Sequence, residues 1–104
     1  MSTFNDREAA FEAKFAHDEE MTFKAFARRD HLLGLWAAEK LGKTGTDAEA
    51  YAQALVKEDF ADPRHETIAS HISKDLGDLA NEDDVKAKMA EFLSAAKEQL
   101  AEEA

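Results

Sequence analysis

Glycine and proline are scarce in this chain, and their scarcity limits the folds that it can adopt. The 104 residues include 4 Gly and 1 Pro, and neither type occurs between positions 5 and 33. An all-β fold needs many tight turns between short strands, and these two residues supply most such turns. The sequence therefore favours a few long helices.

Composition indicates one domain of modest size. The hydrophobic content of 44% is sufficient for a packed core. The chain contains no cysteine, which excludes disulfides, thiolate metal sites and cysteine nucleophiles. No apolar run approaches the roughly 20 residues of a membrane span, and the N-terminus lacks the pattern of a signal peptide. We therefore expect a cytoplasmic protein.

The net charge of -10 is spread unevenly along the chain. Residues 1–44 contain 7 Lys/Arg and 8 Asp/Glu, whereas residues 45–104 contain 6 and 15. The acidic half repels nucleic acid and anionic lipid, so we expect no nucleic-acid partner and no direct membrane insertion. The nearly neutral half is the better candidate for a contact surface, although the acidity could serve solubility alone.

Four segments carry wide apolar stripes at helical spacing and are joined by short loops, which predicts an all-α four-helix bundle. The stripes include Phe23 in the first segment and Phe60 in the second. Gly34 lies inside the first segment, where it favours the close approach of a neighbouring helix. The predicted helices span about 20–41, 47–61, 63–76 and 82–102.

Local signals set the predicted helix ends. Gly42 ends the first helix, and a capping box at Thr46–Glu49 starts the second. Asp62 followed by Pro63 predicts the start of the third helix. Asn81 caps the fourth.

The N-terminal segment, about residues 5–18, differs from the others because its large apolar side chains form only a narrow stripe. Phe4, Phe11 and Phe15 are seven and four residues apart and share one helical face. Burying them contributes roughly 1.5–3 kcal/mol each, whereas ordering about 14 residues costs on the order of 1–2 kcal/mol per residue. We therefore expect a mobile, conditionally helical arm that docks either on its own bundle or in a groove of another protein.

Four polar residues, 17–20, separate this arm from the first bundle helix. Because no Gly or Pro intervenes, the two segments could form one rod, but a hinge at 17–20 is equally allowed. The arm starts either at Asn5 with Glu8 or at Thr3 with Asp6. We divide the chain into an N-terminal arm, residues 1–19, and a helical bundle domain, residues 20–104.

The sequence contains no catalytic, cofactor or metal constellation. Its four histidines form no H-x-x-x-H or E-x-x-H pair. The string Gly42-Lys43-Thr44 lacks the upstream glycine of a phosphate loop. We therefore predict a non-enzyme with no cofactor and no metal. His17, beside three carboxylates, could sense pH, and a solvated histidine is the simpler interpretation.

Residues 4–45 closely resemble the zeta inhibitor subunit of the F-type ATP synthase of alphaproteobacteria. The resemblance rests on the runs DREAAFEAKFAHDEE and LLGLWAAEKLG, which occur in the order and spacing of that family. The acidic helices after residue 46 fit in length and pattern but are less distinctive. One departure is His31, where the family pattern leads us to expect a lysine.

The resemblance implies a bundle with an arm that folds on entering the catalytic α/β interface of the ATPase head, near the γ rotor. There it blocks rotation in the hydrolysis direction while permitting synthesis. The protein is then peripheral to the inner membrane through the ATPase head, and we expect a monomer when it is free. By position in the family's inhibitory run, the implied partner-binding residues are Phe4, Arg7, Glu8, Phe11, Lys14 and Phe15.

A second interpretation stays open from the residues themselves. The chain could be a free-standing helical adaptor or a small-ligand-binding regulator with no ATPase partner. In that case the phenylalanine stripe packs on its own bundle.

Overall fold

Five helices joined by short turns form the fold in the computed structural model, which describes residues 3–103 and side chains from residue 6 onward. This part of the chain contains no strand, and the predicted all-α fold with a four-helix bundle is confirmed. None of these helices combines the length and the apolar character needed to cross a membrane. The elements are α1 (Thr3–Phe15), α2 (Glu19–Lys40), α3 (Gly45–Phe60), α4 (Thr67–Leu76), a single 3-10 turn (Gly77–Leu79) and α5 (Glu82–Glu103).

The main core lies between α2, α3, α4 and α5. Helix α2 packs against both α3 and α5, while α4 closes the core against α5 and α3. Helix α1 lies against α5 and contributes no residue to this core. The Ile68, Ile72 and Leu76 stripe of α4 is buried, as its spacing predicts. The buried core residues are Leu33, Ala37, Leu55, Ile68, Ala69, Ile72, Leu76, Ala80 and Val85.

Gly34 sets the distance between α2 and α3, which confirms the close approach predicted from the sequence. A Cβ atom at this position would lie 2.6 Å from the Cα and 2.9 Å from the Cβ of Ala52. Because these neighbours are backbone and a short side chain, they cannot rotate away. Any larger residue at Gly34 must therefore separate the two helices.

The chain breaks between α1 and α2 rather than continuing as one rod. The backbone N–H of Asp18 donates to the carbonyl of Phe15 at 2.9 Å, which closes a turn. The Asp18 carboxylate then accepts from the backbone N–H of Met21 at 3.1 Å and caps α2. The break lies at the edge of the predicted hinge, residues 17–20. At its other end α2 finishes before Gly42, whose φ of 77° confirms the predicted C-terminal glycine.

The predicted capping box at Thr46–Glu49 is wrong. Helix α3 starts at Gly45, and no side chain caps it. Glu49 does not turn back because its carboxylate is used elsewhere: the ring Nε2 of His31 lies 2.9 Å away and the amide of Gln53 donates at 2.9 Å. A contact between helices has replaced the local cap.

Helix α4 starts at Thr67, four residues later than the predicted start at 63. The Asp62 carboxylate accepts from the backbone N–H groups of Arg64, Glu66 and Thr67 at 2.8–3.0 Å. These bonds close a turn instead of a first helical turn, with His65 in the left-handed region at φ 58°. The predicted Asn81 cap of α5 is confirmed, since its side chain accepts from the backbone N–H of Asp84 at 2.8 Å.

Phe23 and Phe60 do not belong to the core stripes to which the sequence assigns them. They are 43% and 62% exposed. Their rings pack edge to face on each other, with centroids 4.3 Å apart. Each side chain lies next to the buried face of its helix rather than on it. Helical spacing alone therefore overestimated the burial of both rings.

The contact at Gly34 leads to a first prediction. We expect Gly34→Ala to lower the free energy of unfolding by about 1–3 kcal/mol because it overpacks the α2–α3 contact. Denaturant unfolding measures the change. Adding Ala52→Gly should restore only part of the loss, since the Ala52 Cα stays in place. A Gly34→Ala protein more stable than the parent would show instead that helix propensity outweighs the contact.

Candidate functional site

The N-terminal helix α1 is seated on the bundle through one phenylalanine. Phe11 is 2% exposed and packs against Ala25 of α2 and Leu100 of α5. The ring of Phe15 lies beside it, with centroids 5.3 Å apart. Partly buried side chains complete this second, smaller cluster: Phe15, Met21, Leu93 and Ala101. We call this cluster, together with the polar contacts described next, the seat of α1.

Polar contacts surround the buried ring on the α5 side. The Arg7 guanidinium donates to the carboxylate of Glu98 at 3.1 Å, and it also pairs with Glu102. The hydroxyl of Ser94 donates to Glu8 at 2.5 Å. Lys97 pairs with Glu12 at 2.5 Å. Arg7, Glu8 and Glu12 of α1 thus each have a polar partner on α5.

Four of the six residues predicted to bind a partner are used inside the molecule. Arg7, Glu8, Phe11 and Phe15 all meet the bundle. Lys14 is exposed, and its ammonium lies 5.2 Å from the centroid of the Phe15 ring. The side chain of Phe4 lies outside the described residues.

The residues of α5 that receive α1 were not found from the sequence. Ser94, Glu98 and Leu100 are separated from their α1 partners by 86 to 91 residues. On α5 they fit an ordinary bundle stripe and an ordinary charged face. The acidic pair Glu98 and Glu102, one helical turn apart, was the one visible signal for a basic partner. His17, considered as a pH sensor, is exposed next to the α1–α2 break.

A buried ionic cluster lies at the other side of α2. The Arg29 side chain donates to Asp30 at 2.9 Å and to Asp59 of α3 at 3.1 Å. The ring Nδ1 of His65 is 2.8 Å from the same Asp59 oxygen, and this ring stacks on Phe26. Arg29 and both aspartates are buried. The cluster joins α2, α3 and the turn before α4.

The surroundings of Asp30 in this cluster shift the pKa of its carboxyl group. Burial, and then a hydrogen bond with Asp59, raise the pKa of Asp30 to about 8, although Arg29 acts in the opposite direction. Burial thus favours the neutral form of the Asp30 carboxyl group. Within residues 3–103, no group of three or more His, Cys, Asp or Glu side chains is arranged to hold a metal ion.

Comparison with known protein families shows to which family the chain is related. The family model described as ATPase inhibitor subunit zeta matches residues 1–99. The chain belongs to this family. The match includes α1 and α5 as far as residue 99, so it covers the arm and most of the seat, while Leu100, Ala101 and Glu102 follow directly after it. No curated protein matches the chain significantly.

Membership confirms the resemblance stated from residues 4–45 and extends it over the acidic helices. The zeta family is one of inhibitor subunits rather than of catalysts, and its name ties it to an ATPase. The part played by each residue of α1 is not given by membership.

The Asp30 protonation generates a second prediction. A group whose pKa is raised on folding stabilises the fold fully below its unfolded value, about 4, and loses that contribution as pH rises through about 8. Asp30→Asn keeps a hydrogen-bond donor toward Asp59 and removes the titration. We expect it to raise the free energy of unfolding at pH 7 by at least about 1 kcal/mol and to flatten its decline between pH 4 and pH 8.

The control for this prediction is Asp59→Asn. It removes the carboxylate that Arg29 and His65 contact, so it should destabilise the protein by about 3–5 kcal/mol. Denaturant midpoints at several pH values measure both variants. An Asp30→Asn protein that is less stable at pH 7, with an unchanged pH profile, would mean that Asp30 is ionised in the fold.

Proposed function

We propose that this protein inhibits ATP hydrolysis by the F-type ATP synthase, and that α1 is the inhibitory element. In this proposal α1 leaves its seat and inserts at the catalytic α/β interface of the ATPase head near the γ rotor, where it blocks rotation in the hydrolysis direction. The protein itself catalyses nothing. The single observation that carries the proposal is membership of the ATPase inhibitor subunit zeta family over residues 1–99.

The separation of the two apolar clusters supports a detachable arm. The main core draws on α2, α3, α4 and α5, and α1 contributes only to the seat. Removing α1 exposes Leu100 and Ala25 but opens no cavity in the main core. The arm, residues 1–19, can therefore leave while the bundle, residues 20–104, stays folded.

The strength of the seat suits reversible docking. Burial of Phe11 contributes roughly 1.5–3 kcal/mol. The surrounding ion pairs, such as Arg7 with Glu98, are partly exposed and contribute about 0–1 kcal/mol each. An isolated helix of about 12–15 residues is marginal in water, so these contacts decide whether α1 is helical and seated. A competing groove can therefore take α1 away from α5.

The docked arm is an inactive form of the inhibitor under this proposal. Arg7, Glu8, Phe11 and Phe15 cannot contact α5 and an ATPase groove at once. Docking therefore lowers the apparent affinity for the enzyme by the fraction of molecules in which α1 is free. Phe11 and Phe15 are the anchors that we assign to the interface, because a few large side chains carry most of the energy of a contact. Phe4, Arg7, Glu8 and Lys14 are assigned to the surrounding contacts.

The second candidate function is the free-standing adaptor or small-ligand regulator. One observation favours it: Phe11 is already buried on its own bundle. In that case α1 never leaves α5, and fixing it there changes nothing. The two candidates are separated by the following experiment.

Covalent fixation of α1 should abolish inhibition. Glu12 and Lys97 form a contact between α1 and α5, and the natural chain has no cysteine. We expect the Glu12→Cys, Lys97→Cys protein to inhibit ATP hydrolysis before it is joined by a short bis-maleimide and to lose inhibition afterwards. The unreacted protein, and each single variant treated with the same reagent, are the controls. Full inhibition by the cross-linked protein would contradict release of α1.

Weakening the seat without touching α1 should strengthen inhibition. Leu100→Ala removes the α5 side chain that contacts Phe11 and leaves every assigned interface residue intact. We expect an inhibition constant about tenfold lower, because more molecules carry a free arm. Leu79→Ala, the same substitution at an exposed site, should change nothing. Weaker inhibition by the Leu100→Ala protein would show that the seated form is the active one.

A further inference from the structure

A cavity of about 580 Å³ opens between α2, α3 and the turn before α4. Its walls are aromatic and aliphatic, with Phe23, Phe26, Phe60 and Val56 among them. This volume lies within the range of small-molecule sites in proteins. Neither Phe11 nor Leu100 of the seat lines the cavity, whereas Ala16, His17 and Glu19, at the junction of α1 and α2, do.

Two buried carboxyl groups form the floor of the cavity. Asp30 and Asp59 both line it, and each is 2% exposed. The Oδ2 atom of Asp59 accepts a hydrogen bond from the Arg29 guanidinium, and the ring Nδ1 of His65 lies 2.8 Å from the same oxygen. Its Oδ1 atom is also buried and has no hydrogen-bond partner among the described residues. A buried carboxylate oxygen needs a donor, so the floor of the cavity lacks one donor.

The charges around the cavity are mostly negative. Glu19 and Asp62 stand at the rim together with His17, while Arg29 is the one guanidinium bonded to the floor. Four carboxyl groups, those of Glu19, Asp30, Asp59 and Asp62, thus face one guanidinium and the rings of His17 and His65. Such a site attracts cations and repels anions.

The aromatic walls suit a cation that carries an apolar body. Phe23 and Phe60 remain 43% and 62% exposed although they pack on each other. Phenyl faces attract ammonium groups and also cover methylene or aryl carbon. A bare metal ion would use neither property.

We propose that this cavity binds a small molecule with a primary ammonium group on an apolar body, and that the ammonium donates to Asp30 and to the unpartnered Oδ1 atom of Asp59 on the cavity floor. Because burial raises the pKa of Asp30, we expect its carboxylic acid to release a proton to solvent when the ammonium binds. The ammonium N–H groups then donate to the freed Asp30 carboxylate and to Oδ1 of Asp59. One cation enters and one proton leaves, so the total charge is unchanged. The inference is independent of ATPase inhibition.

The probe for this site is 2-phenylethylammonium chloride, titrated into the intact chain at constant ionic strength. Isothermal titration in two buffers of different ionisation enthalpy counts the protons released. Because the pKa of Asp30 is raised to about 8, we expect the affinity to be about tenfold higher at pH 9 than at pH 7. Near pH 7 we expect the release of close to one proton for each ligand bound. The neutral analogue 2-phenylethanol should bind at least tenfold more weakly.

Matched variants assign the effect to the floor and to the walls. Asp30→Asn should weaken binding at pH 9 at least tenfold and remove both the pH dependence and the proton release. Asp78→Asn, which removes the same charge from an exposed position, should leave binding unchanged. Phe60→Ala, also at the surface, should weaken binding several-fold and keep the proton release.

Three results would overturn the proposal. One is the absence of saturable binding of the ammonium probe below about 10 mM. Another is equal affinity for 2-phenylethanol, which would indicate an apolar cavity only. The third is equal loss in the Asp30→Asn and Asp78→Asn proteins, which would indicate attraction by net charge only.

Discussion

The contact of Phe11 with α2 and α5 is the interaction on which the behaviour of this protein depends. It is the buried anchor of α1, and it lies outside the main core. The main core draws no residue from α1, whereas the buried contacts of α1 that the structure describes are with α2 and α5. Among the described side chains, the Phe11 ring and a few partly exposed ion pairs hold α1 in place, so we expect α1 to open before the bundle does.

Membership of the ATPase inhibitor subunit zeta family gives the chain its class. Under the proposed function, the same α1 residues serve two partners in turn, and the seated form is the inactive one. The acidic face of α5, with Glu98 and Glu102, pairs with Arg7 and holds the arm near its own bundle. In the proposed function the ATPase competes with α5 for α1, and the substitutions that strengthen or weaken the seat tune inhibition in opposite directions.

Much of the fold follows from the sequence because local forces determine it. The stripe Ile68, Ile72 and Leu76, the end at Gly42, the cap at Asn81 and the contact at Gly34 are set by residues close in the chain or by one close approach. The errors have two causes. His31, which is 18 residues away, takes Glu49 from its expected cap, and a local turn at Asp62 forms in place of a first helical turn and delays α4. The seat on α5 and the Asp30–Asp59 pair join residues that are far apart in the sequence. Helical spacing carries no information about such contacts.

The most direct test of the central claim is ATP hydrolysis by the purified cognate F-type ATP synthase, measured with the full chain and with a chain that starts at residue 19. Circular dichroism of the shortened chain verifies that the bundle is folded. We expect the full chain to inhibit hydrolysis and the folded, shortened chain to leave it unchanged. Equal inhibition by both would contradict the assignment of inhibition to α1 and place it on the bundle.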